Sequence, residues 1–272
     1  MDRIKKALEK AREARFSLEP YSSKSQPATM IEPNTGSINS SLLKHKNIAV
    51  ESARLEAHRI FLEGGGNGNV EGAFKMLRTQ VLQKMKTSGW STLLVTSPNS
   101  GNGKTVTAIN LAINLARQAH QSVLLVDLDL RHPSIRTCFT DDPIPGISDY
   151  LVGDVPITDI IFSPNIEGLL VLPGREAFSH SSEALLLPKM LNLMSDLRRR
   201  YAEGILVLDM PPVLPVDDVV AFSQYWDTVL LVIEEGRTTA EDIRRTYEML
   251  KDKPILGTVL TKSNEGGICY DY

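Results

Sequence analysis

Lys104 and Thr105 close the stretch SPNSGNGKT at 97–105, and a lysine and a threonine after a run of small residues can hold a polyphosphate. The backbone N–H groups of Ser100, Gly101, Asn102, Gly103, Lys104 and Thr105, with Val106 next in the same turn, would surround the phosphates. The Lys104 ammonium would bridge the outer phosphates, and the Thr105 hydroxyl would ligate magnesium. Gly101 and Gly103 let the backbone approach closely. Pro98 stands where the usual pattern opens with glycine, yet the contacting core SGNGKT is intact. The plain alternative is a glycine-rich turn before a core helix. The apolar run STLLVTS before the loop and the amphipathic run TVTAINLAINLARQA after it supply the strand–loop–helix context that a phosphate site needs.

Two further runs end in acids. LLVDLDLRHP places Asp127 and Asp129 on either side of Leu128, so in an extended strand both carboxylates point the same way. Two like charges so spaced repel unless a cation lies between them or one leaves the strand end, which argues for a metal-linked role. ILVLDMPP gives an apolar strand, then Asp209, then Pro211 and Pro212 to end the ladder. This is the strand-plus-acid arrangement that holds magnesium in P-loop proteins. Either motif alone could be a solvated or capping aspartate. Three polar clusters at successive strand ends make coincidence a poor explanation.

The elements that must position these residues alternate along the chain. Apolar runs at 91–97, 122–129, 168–174, 204–210, 227–235 and 255–261 read as strands buried on both faces and joined by helices. The expected fold class is α/β, a doubly wound, mostly parallel sheet with helices on both faces, binding ligands outside the strands' carboxyl ends. Two helical patterns, VESARLEAHRIFLE and VEGAFKMLRTQVLQKMK, precede it, separated by GGGNGN. The segment 130–165 reads as an insertion with one short helix, GISDYLVG. Residues 2–16 place Ile4, Leu8 and Ala11 on one helical face, and 17–41, rich in Ser, Pro, Asn and Thr, read as a flexible arm. The expected division is an N-terminal helix and arm at 1–45, the P-loop domain at 46–263 and a flexible tail at 264–272.

Composition bounds the function. At 272 residues and 42% hydrophobic content the chain can bury a sizeable core, and a net charge of -3 gives its body no bias toward nucleic acid. Two cysteines, Cys138 and Cys269, make neither a disulfide framework nor a zinc cluster and fit a reducing cytoplasm. No run approaches the roughly 18 apolar residues of a membrane span, so any membrane association is expected to be peripheral, through a partner.

Taken together, NSGNGKT, LLVDLDLR and ILVLDMPP resemble the motifs of the bacterial tyrosine kinases, P-loop enzymes unrelated in fold to eukaryotic kinases. The resemblance covers about residues 70–272. It is nearest to the autokinases of exopolysaccharide and exosortase systems, through GISDYLVGDVPITDII, SSEALLLPKM and VLLVIEEGRTTAEDI. It implies transfer of the ATP γ-phosphoryl group to tyrosine hydroxyls, with Lys104 on the transferring group and Thr105 and Asp209 on magnesium. Asp127 is then the general base or a metal-shell acid, with Asp129 the alternative, and Arg131 steadies the phosphates or a neighbouring subunit.

The resemblance also implies a C-terminal tyrosine cluster phosphorylated between subunits. The chain ends NEGGICYDY, offering Tyr270 and Tyr272 after a flexible Gly266–Gly267 lead. Ring assembly in the family uses a Glu-x-x-Arg-x-x-Arg helix; here EGAFKMLRTQ has Glu71 one residue early, Lys75 for the first arginine and Arg78 in register. Lysine lacks the arginine fork, so the assembly is expected to differ. Expected partners are a second copy of the chain and a membrane polysaccharide co-polymerase or activator.

Two rival readings follow the same motifs. One is a switch ATPase of the septum-site and plasmid-partition type, against which Asn99 replaces the loop's signature lysine. The other is an ATP-binding regulatory partner of a polysaccharide transporter, against which Lys104, Asp127 and Asp209 are all present. His132 and His180 lack ligand-spaced partners, Trp90 and Trp226 read as packing residues, and TKSNEG at 261–266 lies near the expected adenine pocket.

Overall fold

Leucines and β-branched residues occupy alternate positions on both faces of the central strands, and only a layer of helices on each side can cover both. The computed structural model describes residues 45–62, 68–118, 122–153 and 155–263. The N-terminal helix and arm, the GGGN part of the breaker, and the tail with Tyr270 and Tyr272 lie outside the described residues.

The strands are β1 (Lys46–Asn47), β2 (Thr92–Thr96), β3 (Val123–Asp127), β4 (Phe162–Ser163), β5 (Leu169–Leu172), β6 (Ile205–Asp209), β7 (Thr228–Glu234) and β8 (Ile255–Thr261). They form one sheet in the order β1-β4-β5-β3-β6-β2-β7-β8, parallel throughout except where β4 meets β5. Each of the six strands read from the sequence is present. The short β1 and β4 were not anticipated, since two residues carry no periodicity.

The helices are α1 (Ser52–Ala57), α2 (Gly68–Ser88), α3 (Lys104–Ala116), α4 (Ile135–Phe139), α5 (Ile147–Val152), α6 (Ile157–Ile160), α7 (Ser181–Leu185), α8 (Pro188–Arg200), α9 (Asp218–Ala221) and α10 (Ala240–Met249). Leu93, Val95, Val123, Leu125, Ile205 and Val207 point to the face covered by α3, through Ile109, Ala112 and Ile113. Leu94, Leu124, Val126, Leu206 and Leu208 point to the other, against Met190, Leu193, Met194 and Leu197 of α8. This alternation is the period of two expected of strands buried on both sides. Trp226 is buried in that second layer, with the Lys253 ammonium 5.1 Å from its ring centre.

Two expectations are corrected. The first helical pattern runs only from Ser52 to Ala57, because Arg59 turns left-handed (φ 58°) and drives Ile60 into the core. Asn110 of α3 fixes that exit, accepting from the Phe61 N–H at 2.9 Å and donating to the Arg59 carbonyl at 2.9 Å. The segment 130–165 is no peripheral insertion with a single helix. It holds α4, α5, α6 and β4, and its Ile135, Phe139, Ile147, Leu151 and Ile160 are core residues. Prolines and aspartates between short helices masked a buried pattern whose turns are too brief to show a 3.6-residue period.

Candidate active site

β3, β6 and β2 are neighbours in the sheet, so the loops leaving their carboxyl ends meet. Asp127 and Asp209 are direct partners across β3 and β6, and the Leu128 N–H donates to the Asp209 carbonyl at 2.8 Å. The loop between β2 and α3 enters the same place. Its Pro98 carbonyl accepts from the Leu214 N–H at 3.1 Å, and Ser97 is tied to Val213 at 2.8 Å, which fastens the loop to the segment following Asp209. Gly101 and Gly103 both adopt positive φ (83° and 88°), which explains why glycine is needed there. Gly103 is the residue before the first turn of α3.

Lys104 extends from that turn into an acid pair. Its Nζ lies 2.7 Å from Asp129 Oδ2 and 3.4 Å from Asp209 Oδ1. The Thr105 hydroxyl donates to Asp209 Oδ2 at 2.6 Å. Burial works to lower the Lys104 pKa, but Asp209 and Asp129 outweigh it and the ammonium is held charged above its ordinary value. Burial pushes Asp209 up from the usual carboxylate range, opposed by Lys104 and Thr105.

Asp127 and Asp129 do not act as an equivalent pair. β3 ends at Asp127, so the strand geometry that would align them is lost at once. Asp129 Oδ1 accepts from the His132 N–H at 3.1 Å while its other oxygen meets Lys104. Asp127 Oδ2 accepts from the N–H groups of Ser134 and Ile135, each at 3.0 Å, at the start of α4. Its Oδ1 is buried with no hydrogen-bond partner. Burial first, then the charge of Asp209, pushes the Asp127 carboxyl up to about 8. A buried oxygen left unpaired costs about 1–3 kcal/mol, a cost that a bound cation or donor would relieve.

Those residues fit magnesium. Hydroxyl and carboxylate oxygens are hard donors, and Mg²⁺ is held by one or two carboxylates together with substrate phosphates and water.

The motifs name Asn102 for its backbone but do not show what its side chain does or which residues support the loop. Asn102, fully buried, accepts from the Asn99 N–H at 3.1 Å and donates to Glu234 Oε2 at 3.2 Å. Lys262 meets Glu234 at 2.9 Å and donates to the Gly101 carbonyl at 2.9 Å, and the Thr261 hydroxyl donates to the Asn102 carbonyl at 2.7 Å. The ends of β7 and β8 therefore clamp the loop from the side opposite the acids. An acid ending the apolar run VLLVIEE was the one signal available for Glu234. Ser100 and Gly101 are exposed at the loop's outer rim, Val106 is half-buried, and Arg131 Nε lies 3.6 Å from buried Asp218. His132 contributes its backbone to the site.

Gly174, in the loop after β5, presses on Asp127. A Cβ there would meet Pro133 Cβ at 2.5 Å and the Asp127 Cγ at 3.5 Å. Gly174→Ala should therefore push the rigid proline, and with it the two N–H groups that hold Asp127, costing about 1–3 kcal/mol. Thermal melting should show the loss, whereas Gly257→Ala, whose added carbon meets nothing within 4 Å, should melt close to wild type in that respect.

Residues 93–267 match the family described as the CobQ/CobB/MinD/ParA nucleotide binding domain. The chain is also 34% identical over 171 residues to tyrosine-protein kinase CpsD of Streptococcus pneumoniae serotype 4, covering 62% of this chain and 74% of that protein. This chain belongs to the P-loop bacterial tyrosine-kinase family. A second member, the putative tyrosine-protein kinase EpsB of Ralstonia nicotianae, is 35% identical over 181 residues, 66% of this chain. The chain spans only about a quarter of that relative, 23% of its length. Among solved structures, the VpsO kinase domain superimposes with a TM-score of 0.64 at 31% identity, covering 72% of this chain and 96% of that one. No helix among the described residues is long and apolar enough to cross a membrane.

Proposed function

We propose that the chain is an ATP-dependent protein tyrosine autokinase that regulates exopolysaccharide synthesis or export, with Tyr270 and Tyr272 as acceptors. The observation that carries this reading is the contact of Lys104 and Thr105 with Asp209, beside an Asp127 whose Oδ1 is buried and unpaired. The kinase names of its relatives support the chemistry, and the pathway class rests on the resemblance of GISDYLVGDVPITDII, SSEALLLPKM and VLLVIEEGRTTAEDI to the exopolysaccharide autokinases.

In this reading the loop amides of residues 100–105 cradle the ATP phosphates, and Lys104 leaves Asp129 to meet the charge that grows on the transferring group. Tyrosyl Oη attacks the γ-phosphorus, the bond to the β–γ bridging oxygen breaks with its electron pair leaving on ADP, and the tyrosyl proton passes to Asp127 Oδ1. Asp127 Oδ1 has no hydrogen-bond partner of its own, which leaves it able to accept that proton. Thr105 and Asp209 are the residues that would hold magnesium, which neutralises phosphate charge when bound, and a place in the metal shell is the alternative role for Asp127. Asp129 positions Lys104.

Residues 1–45 serve in this proposal as a docking arm for a membrane polysaccharide co-polymerase or activator, which would hold the kinase at the inner face of the membrane. A second copy supplies the acceptor tail. Each phosphate adds a charge of about -1.5 to -2 and would loosen contacts between subunits.

Purified protein with magnesium and ATP should become labelled on tyrosine. ATP hydrolysis without phosphotyrosine, beside an active control kinase, would sink the kinase reading. The double variant Tyr270→Phe, Tyr272→Phe should lose most of the anti-phosphotyrosine signal while binding ATP as before. Undiminished signal would move the acceptor elsewhere, Tyr21 included.

A further inference from the structure

Away from the nucleotide loop, a cavity of about 170 Å³ opens between α2 and α3. Its wall is made by Phe61, Phe74, Arg78, Asn114, Arg117 and the Glu71–Lys75 ion pair. The pair closes at 2.8 Å, so Glu71 is neutralised within the wall and the cavity keeps a net positive lining from Arg78 and Arg117. The Arg78 Nε is buried without a hydrogen-bond partner. The Arg78 side chain thus keeps an unmade hydrogen bond while lining the cavity beside Arg117, and two guanidinium groups in one wall favour an anionic occupant.

We propose that this cavity binds the side chain of a phosphorylated tyrosine. The volume supports one aromatic ring, since a cavity of about 150 Å³ lined by apolar residues takes up benzene. Phe61 and Phe74 line the cavity and supply aromatic surface for such a group. The arginine fork matches phosphate oxygens in two-point geometry, and Arg117, at the exposed mouth, adds a second cation. For the source of the ligand the inference rests on the autokinase reading: the phosphorylated tail of this chain, at Tyr270 or Tyr272, is the occupant. The pocket would then retain the product tail away from the nucleotide loop.

The full chain, treated with phosphatase and saturated with Mg-ADP so that the loop is filled, is titrated calorimetrically with four probes. These are a peptide of residues 264–272 phosphorylated at Tyr270, the same peptide unphosphorylated, phenyl phosphate and inorganic phosphate. The phosphopeptide and phenyl phosphate should bind, inorganic phosphate about tenfold more weakly, and the unphosphorylated peptide not measurably. Arg78→Gln should weaken phenyl phosphate about tenfold and Arg117→Gln severalfold. Because Arg117 lies outside the helix tied to ring assembly, its variant guards against an effect of altered assembly. Equal affinity for phenyl phosphate and inorganic phosphate, or unchanged affinity in both variants, would overturn the proposal. Since the ligands are synthetic, a chain that binds them but labels no tyrosine refutes the kinase reading alone.

Discussion

Lys104→Met is expected to reduce tyrosine labelling by about 10²–10³-fold, the usual cost of removing one donor aimed at charge in the transition state. The variant also leaves Asp129 and Asp209, both buried, without the ammonium that stands 2.7 and 3.4 Å away. Breaking a buried pair by removing one partner costs about 3–5 kcal/mol, less whatever proton uptake by the acids recovers. Loss of labelling in this variant alone could therefore reflect a weakened fold. Lys104→Arg separates the two effects: it restores a cation for the acids, but its planar fork cannot replace a point charge in the loop. Its melting temperature should return toward wild type while labelling stays low. Full labelling in Lys104→Arg and Lys104→Met alike would remove the lysine from the chemistry.

Asp127→Asn is expected to lower labelling by about 10²–10⁴-fold and yet stabilise the metal-free protein at alkaline pH. The folded carboxyl titrates near 8, well above its ordinary 3.8, because burial and Asp209 disfavour its charged form. Between those values the folded state keeps a proton that the unfolded chain releases, so stability falls as pH rises toward 8 and the loss is complete above it. Asparagine cannot titrate, so the pH-dependent loss contributed by this side chain disappears. In chelator, the drop in melting temperature from pH 5 to pH 8.5 should be larger for wild type than for Asp127→Asn. Equal drops would show that Asp127 is not the buried proton carrier. Asp129→Asn should behave differently, weakening the hold on Lys104, with less effect on the pH profile of labelling.

Much of this architecture is legible in the chain because it is local. Strands buried on both faces write continuous apolar runs, and six such runs were placed within a residue or two of β2, β3, β5, β6, β7 and β8. The positive-φ glycines of SGNGKT and the helix that follows are likewise local features. Where elements are short, the sequence is mute: α4, α5 and α6 pack through single turns, and the 50–63 pattern was cut short by a left-handed Arg59 that periodicity does not encode.

The sequence by itself singled out the candidates for meeting phosphate and metal: Lys104 and Thr105 where the loop after β2 enters α3, and Asp127, Asp129 and Asp209 at or just past the ends of β3 and β6. Only the tertiary structure decided how they divide the work. Strand order set Asp127 opposite Asp209, and the end of β3 at Asp127 sent Asp129 to Lys104 while α4 took one oxygen of Asp127 and left the other bare. The same is true of Gly174 against Asp127, of Glu234 and Lys262 clamping the loop, and of Arg78 facing a cavity beside α3. These contacts join residues tens of positions apart, and their energies depend on burial and on neighbouring charge. Neither is a property of a local stretch; both arise when the sheet brings distant loops to one edge.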